Sequence, residues 1–300
     1  MAENSIRFDQ VGEFNRWAGV APQHPLVSSF THPDGLKCHP YRQTYNIFAL
    51  VLMKGWAGEI LYGGNKYDYD AGTLIFTSPG QVTDFRYMKE DYVPKGRVLL
   101  WHPEFIAGTS LSDKMRMFSY FGYNVREALR PTERERTIVT QLLDNIDELV
   151  AQPRSENGDR LIVANIELLL TYCLSFYERQ FQTHSLENNA LLSRLEALIN
   201  GYLSSDSPKR EGLLNVNFCA GKLNLSPSYF SDLVRMATGQ TALKYIHNKL
   251  LEFAKYRLAD SEKNINEVAY ALGFDYPQHF TRFFKKYVGC SPTEYRKSKR

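Results

Sequence analysis

The stretch that decides the fold is Ile265–Arg296, INEVAYALGFDYPQHFTRFFKKYVGCSPTEYR, because the same pattern occurs once before, starting at Val216-Asn217. Corresponding residues are 49 positions apart before a turn and 50 positions apart after it, so the second copy has one extra residue in the turn. The matched pairs are Ala220/Ala269, Leu223/Leu272, Leu225/Phe274, Pro227/Pro277, Phe230/Phe280, Gly239/Gly289 and Tyr245/Tyr295. Unrelated helices would not keep this register, so the C-terminal part of the chain contains an internal repeat.

Each copy predicts a helix-turn-helix. Small alanines, Ala220 and Ala269, stand where the two helices of a unit would cross. Asn224 and Gly273 fall in the turn, where a left-handed backbone is expected.

The second helix of each copy has start and stop signals. Ser226 is a good N-cap, and Pro227 suits the first helical position. Asp275 and Pro277 are predicted to play the same parts in the second copy. Gly239 and Gly289 are predicted to end the two helices.

The segment between the copies, Thr241–Ala259, is apolar at helical spacing and predicts one helix of about 19 residues, roughly 28 Å long. Such a rod could hold two recognition helices about one DNA turn, roughly 34 Å, apart.

These motifs resemble the AraC/XylS family of bacterial transcription regulators. The matching features are A-x-x-x-G-F, F-x-x-x-F-K-K and G-x-S-P-x-x-Y-R within Ile265–Arg296, together with LNLSPSYFSDLVRMATG at Leu223–Gly239. The resemblance covers about residues 187–300 and implies an all-α DNA-binding domain with helix-turn-helix units at about 216–239 and 265–289. Residues 1–182 resemble, more loosely, the cupin-like β-barrel sensor domain of such regulators, which implies an α+β chain with an effector-binding and dimerisation domain.

Side chains on the outer faces of helices 227–238 and 277–288 are the candidates for contact with double-stranded DNA. Arg pairs well with guanine and Gln with adenine, whereas Lys and Arg on phosphate position the protein without reading sequence. The base-reading candidates are Ser228, Ser231, Asp232, Arg235, Gln278, Thr281 and Arg282. The phosphate candidates are Lys285, Lys286, Arg296 and Lys297. Asp232 has two further interpretations, exposure to solvent or pairing with Arg235.

The distribution of charge favours the same assignment. Residues 187–300 have 17 Lys and Arg against 11 Asp and Glu, while residues 1–186 have 19 against 22. A basic half indicates a nucleic-acid partner, although a solvated basic face would have the same composition.

The N-terminal half predicts short strands between 44 and 101. Ile47–Met53 is an apolar run of strand length, and turn residues separate the strands predicted after it, at Glu59–Tyr62, Lys66–Tyr69, Thr73–Thr77, Val82–Met88 and Gly96–Trp101. This spacing is typical of an antiparallel sandwich or barrel. Polar residues at 204–212 predict a loop.

Two amphipathic helices are predicted at 131–150 and 157–182. The second has a broad apolar face, and we expect part of that face to form a homodimer seam, the alternative being that all of it is core. The residues of this stripe are Leu161, Ile162, Ile166, Leu169, Leu170, Cys173 and Phe176. Because Leu161–Phe176 is shorter than the ~20 residues of a membrane span and Met1–Gln10 has no apolar core, neither a membrane segment nor a secretory signal is expected.

The barrel interior is the candidate effector site. Aromatic residues and one cation near the strands could hold a small molecule of unknown identity, although they could equally fill an ordinary core. They are Arg42, Tyr45, Trp56, Tyr62, Phe76 and Phe85. His24, His32, His39 and His102 form no H-x-H pair, so neither a metal nor another cofactor is expected.

The function these observations favour is a cytoplasmic, effector-responsive, DNA-binding transcription regulator that acts as a homodimer and could also contact RNA polymerase. No catalytic motif is present in the sequence, so no enzymatic activity is expected. A cupin-fold enzyme with a DNA-tethering C-terminal domain is the alternative.

Overall fold

A computed structural model describes the backbone of residues 5–33, 42–54, 60–62, 65–67, 72–84, 95–124, 127–183, 185–259 and 264–298. Within these ranges the side chains at 5, 42–43, 60–62, 65–67, 83–84 and 185–189 are outside the description. The chain divides into two compact units, Met1–Thr183 and His184–Arg300.

The first unit contains nine described strands. They are β1 Ser5–Phe8, β2 Val27–Thr31, β3 Arg42–Tyr45, β4 Phe48–Met53, β5 Ile60–Tyr62, β6 Asn65–Tyr67, β7 Leu74–Thr77, β8 Val82–Asp84 and β9 Gly96–Trp101. One antiparallel sheet has the order β2-β9-β4-β7, a second has the order β1-β3-β8, and β5 and β6 form a hairpin. The β1 and β3 strands are parallel, which departs from the antiparallel pattern predicted for this half.

The larger sheet has a hydrophobic cluster on each face, because successive side chains of a strand point to opposite sides. On one side Ala49 and Leu100 pack with Phe14 of helix α1, Val11–Ala18. On the other side Trp101 stacks on Phe48, with ring centroids 5.2 Å apart.

Helices cover the face of the sheet that carries Phe48 and Trp101. Beyond two short helices, α2 Pro103–Ile106 and α3 Ser110–Lys114, lie α4 Glu133–Ala151 and α5 Glu156–Thr183. A capping box between Thr132 and Glu135 starts α4. Buried Arg97 of β9 pairs with Asp144 of α4 at 2.5 Å and with Asp147 at 2.6 Å, which ties the sheet to the helix.

The prediction that the apolar stripe of α5 forms a dimer seam is wrong for six of its seven residues. All of its members except Leu161 are buried within the first unit, and Leu169 and Leu170 are fully inaccessible. The exposed apolar side chains of α5 are Leu161, Leu168 and Tyr172 instead. The buried residues make α5 a core helix, although it is long and apolar enough to meet the length and composition test for a membrane span.

The second unit is entirely helical in its described residues. Its helices are α6 Ser185–Ser204, α7 Ser207–Glu211, α8 Val216–Lys222, α9 Pro227–Thr238, α10 Ala242–Ala259, α11 Ile265–Ala271, α12 Pro277–Val288 and α13 Pro292–Ser298. The loop predicted at 204–212 therefore contains a short helix, which Pro208 helps to start from within its first turn. A single hydrophobic cluster extends from Leu195 of α6 to Phe284 of α12, so both repeats share one core.

Candidate nucleic-acid interface

The first helix-turn-helix consists of α8 and α9. Asn224 has φ 59° in the turn, as predicted from its tolerance of the left-handed region. The Ser226 hydroxyl accepts a hydrogen bond from the Tyr229 amide at 3.2 Å, and Pro227 occupies the first turn of α9. Gly239, with φ 70°, ends the helix.

The second helix-turn-helix consists of α11 and α12, and it starts its second helix differently. The N-cap of α12 is Tyr276, whose side chain makes no capping hydrogen bond. The prediction that Asp275 caps this helix is wrong, because the extra residue in the turn moves Asp275 one position ahead of the cap. Gly289, with φ 88°, ends α12 as predicted.

Gly273 in the second turn is packed against backbone. Its φ is 88°, and a Cβ at this position would lie 2.3 Å from the Gly212 carbonyl oxygen. The same oxygen accepts a hydrogen bond from the Tyr202 hydroxyl at 2.8 Å. The turn of the second helix-turn-helix thus packs closely against the segment that follows α7.

The outer face of α12 carries most of the predicted contacts. Gln278, Arg282 and Lys285 are exposed, and their spacing of four and three residues puts them on one helix face. Thr281 is partly buried, and its hydroxyl donates to the Pro277 carbonyl at 3.1 Å. Lys286 is exposed beside this face.

The corresponding face of α9 is less available. Arg235 is exposed, but it pairs with Asp232 at 2.8 Å, and Asp232 is only 9% exposed. The Ser231 hydroxyl donates to the Pro227 carbonyl at 2.7 Å, and Ser228 is partly buried. Asp232 therefore follows the pairing interpretation rather than projecting outward to meet a base.

Among the predicted phosphate contacts, Arg296 lies apart from the others. Lys285, Lys286 and Lys297 are exposed, whereas Arg296 is partly buried and its Nε donates to the Leu258 carbonyl at 3.0 Å. The guanidinium thereby satisfies a carbonyl at the end of α10, as basic groups near helix C-termini do. We reassign Arg296 as a link between α13 and α10.

Two exposed aromatic rings at the start of α12 were not predicted. Tyr276 is 58% exposed, and its ring meets the exposed His279 ring edge-on at 5.4 Å. Their signal in the sequence is the replacement of the Ser226 and Tyr229 pattern of the first copy by Tyr and His.

The α10 helix, which connects the two helix-turn-helix copies, lies within the core that they share. It has 18 residues, one fewer than predicted, and Ile246, Leu250, Ala254 and Leu258 are inaccessible. His247 on α10 forms a 3.0 Å hydrogen bond with the Tyr287 hydroxyl of α12. Burial, together with the charge of Lys286, lowers the pKa of His247.

Of the predicted effector residues, the two whose side chains the structure describes, Tyr45 and Phe76, lie in different clusters. Tyr45 packs with Phe8 and Phe14 in one cluster, with ring centroids 5.8 and 6.3 Å from its own. Phe76 packs with Tyr120 on the other side of the sheet, since it pairs with Leu50 whereas the neighbouring Ala49 joins the Tyr45 cluster. Trp56 and Phe85 lie outside the described residues, as do the side chains of Arg42 and Tyr62.

His24 is a structural histidine. Its Nδ1 accepts hydrogen bonds from the Leu26 and Val27 amides at 3.1 and 3.2 Å, and its Nε2 lies 3.1 Å from Asp159. Burial lowers the pKa of His24. In the part of the chain that the structure describes, no group of three His, Cys, Asp or Glu side chains has the arrangement of a metal site.

Known proteins share this C-terminal arrangement. Residues 219–298 match a family model described as a helix-turn-helix domain. YijO of Escherichia coli K12, an uncharacterized helix-turn-helix-type transcriptional regulator, is 31% identical over 156 residues, which cover 52% of this chain and 51% of YijO. The chain thus matches about half the length of that relative.

Two further likenesses differ in extent. The transcriptional activator RhaS of Shigella dysenteriae is 23% identical over 85% of this chain and 87% of RhaS. The C-terminal domain of the two-component response regulator yesN from Fusobacterium nucleatum is 27% identical over 36% of this chain and 98% of that domain, with a TM-score of 0.32.

The paired units on one core, the exposed basic face of α12 and the matched family model define a helix-turn-helix protein of the DNA-binding class. The match at residues 219–298 assigns a helix-turn-helix domain to the C-terminal part of the chain, and the motifs at Leu223–Gly239 and Ile265–Arg296 resemble those of the AraC/XylS family of transcription regulators.

Proposed function

We propose that the protein is a cytoplasmic transcription regulator that binds specific DNA sequences with α9 and α12. The observation that carries this is the exposed stripe Gln278, Arg282 and Lys285 on a helix whose opposite face is buried by Phe280 and Phe284. Arg and Gln are the side chains best suited to guanine and adenine edges.

The test is selection of bound duplexes from a random DNA pool by the full chain, followed by affinity measurements. We expect a defined sequence to be enriched. Enrichment of no sequence would contradict the proposal.

The two recognition helices are proposed to enter successive major grooves. The α10 helix, about 27 Å long at 1.5 Å per residue, is close to the repeat of the duplex. We therefore expect two half-sites about one helical turn apart, the stronger sequence preference belonging to α12. Insertion of half a turn between the half-sites should abolish the contribution of one of them.

The first unit is proposed to be a cupin-like sensor domain that binds a small effector. The four-stranded antiparallel sheet and the helices that cover one of its faces support this proposal. A thermal-shift screen of metabolites on the full chain, repeated in the presence of the selected DNA, tests the proposal. A ligand that raises the melting temperature and also changes DNA affinity is the expected result.

A homodimer is proposed through the corrected face of α5. Leu161, Leu168 and Tyr172 are 52%, 48% and 37% exposed, and their spacing of seven and four residues aligns them on one side of the helix. Two copies would cover these side chains by a self-complementary contact. A further contact with RNA polymerase belongs to the same proposal.

Sedimentation of Leu168→Glu tests the dimer. The variant should be folded and monomeric, whereas Leu169→Glu, which places a charge in the core, should unfold. A folded Leu168→Glu protein that still sediments as a dimer would exclude this face.

A further inference from the structure

A cleft of about 550 Å³ lies beside the start of the second recognition helix. Its polar lining comprises Lys209 of α7, Tyr270 of α11, and Asp275 and Tyr276 from the segment leading into α12. Because Tyr276 is the N-cap of α12, the cleft adjoins the start of the helix already proposed to contact DNA.

Two tyrosines of the cleft are unusually exposed. Tyr270 is 47% exposed and Tyr276 is 58% exposed. At the corresponding positions, 49 and 50 residues earlier, the first unit has Gly221 and the buried cap Ser226. The second helix-turn-helix therefore has solvent-facing aromatic rings at two positions where the first has none.

The position of the cleft indicates what it meets. A recognition helix about 10–12 Å in diameter fills a major groove about 12 Å wide, so residues flanking its start meet the groove rim, where sugars and phosphates lie. Tyrosine hydroxyls and lysine ammonium groups are among the usual donors to phosphate oxygens. The ion pair of Lys209 with Asp206 is 2.9 Å long but solvent-exposed on both sides, so Lys209 can exchange partners at little cost.

We propose that this cleft binds the sugar–phosphate backbone of the DNA that flanks the bases read by α12. The inference rests on the proposed function. Lys209 and the hydroxyl groups of Tyr270 and Tyr276 contact phosphate, and the edge-on His279 ring holds Tyr276 in place. The carboxylate of Asp275 is exposed in the same lining and opposes the contact.

The test measures how affinity depends on flanking DNA. The full chain is titrated with its selected site in two duplexes, one ending at the site and one extended on each side by about six base pairs, or about 20 Å. The wild-type protein should bind the extended duplex several-fold more tightly. Lys209→Ala and Tyr276→Phe should each lose most of that gain, and Lys209→Ala should lower the salt slope by about one.

Three further variants should increase the gain or leave it unchanged. Asp275→Asn should increase the gain from flanking DNA because it removes the opposing charge. Lys255→Ala and Tyr256→Phe, on the exposed side of α10, are matched controls that should leave the gain unchanged.

The outcomes separate this inference from the proposed function. If Lys209→Ala and Tyr276→Phe retain the full wild-type gain, or if the α10 controls lose as much, the cleft does not bind the backbone. Arg282→Ala should weaken both duplexes equally. A wild-type chain that shows no sequence preference would overturn the proposed function itself.

Discussion

The two helix-turn-helix copies follow one sequence pattern, yet their local chemistry differs at several positions that face outward. The first unit caps its second helix with buried Ser226 and pairs Arg235 with Asp232. In the second, the N-cap residue Tyr276 is exposed and its side chain makes no capping hydrogen bond, and Arg282 is exposed on the outer face of α12. We therefore expect the first copy to contribute more to stability and the second copy to contribute more to DNA binding.

The turns show the largest contrast. Gly273→Ala should destabilise the protein by about 3 kcal/mol or more, because the new Cβ would overlap the Gly212 carbonyl and the backbone would be strained at φ 88°. Asn224→Ala at φ 59° should cost only about 1–2 kcal/mol. Urea unfolding of both variants measures the difference. Equal losses would mean that the second turn relaxes away from Gly212.

The two arginines should differ in DNA binding. Arg282→Ala should cost about 1–3 kcal/mol on the selected site and relax the preference at one base pair. Arg235→Ala should cost less affinity, because Asp232 already occupies that guanidinium. Binding titrations against single-base variants of the site provide the measurement. A larger effect for Arg235 would reverse the roles assigned to the two helices.

The caps can be exchanged to test the division between stability and binding. Ser226→Ala should lower stability by about 1 kcal/mol through loss of the cap. Tyr276→Ser should add a cap and raise stability by up to about 1 kcal/mol, while it weakens DNA binding. Thermal unfolding and DNA titration on the same preparations decide this. A Tyr276→Ser variant with undiminished affinity would show that the exposed ring has no part in binding.

The smallest expected effect concerns pH. His247, which bonds to Tyr287 and faces Lys286, has a folded-state pKa below its ordinary value. The folded state therefore binds fewer protons than the unfolded state, so stability should fall as the pH drops through about 6.5. His247→Gln should lose that part of the pH dependence between pH 7.5 and 5.5. If the variant keeps the wild-type pH profile, other groups, such as His24 in the N-terminal unit, account for the pH dependence of stability.

The two compact units of the chain, Met1–Thr183 and His184–Arg300, differ in how well the sequence predicted them, and the reason is physical. In the C-terminal unit, His184–Arg300, most helix ends carry local signals, such as Asn224, Gly239 and Gly289, that act through their own backbone. In the N-terminal unit, Met1–Thr183, the sequence did not predict β1–β3 or α1, because these segments become strands and a helix only through contacts with partners far along the chain. The exposed side of α5 was also misassigned, since a helix that is apolar over most of its circumference does not reveal which side the sheet will cover.

Thus the repeat, the left-handed turn at Asn224 and the helices of both copies could be predicted from the order of the amino acids, since each depends on short-range backbone preferences and helical spacing. Only tertiary contacts could decide that Arg296 bonds to Leu258 and that Tyr45 and Phe76 lie on opposite sides of a sheet. Tertiary packing also placed Lys209 beside Tyr270 and Tyr276. Such facts depend on which surfaces meet, and two surfaces distant in sequence leave no periodic trace of their meeting.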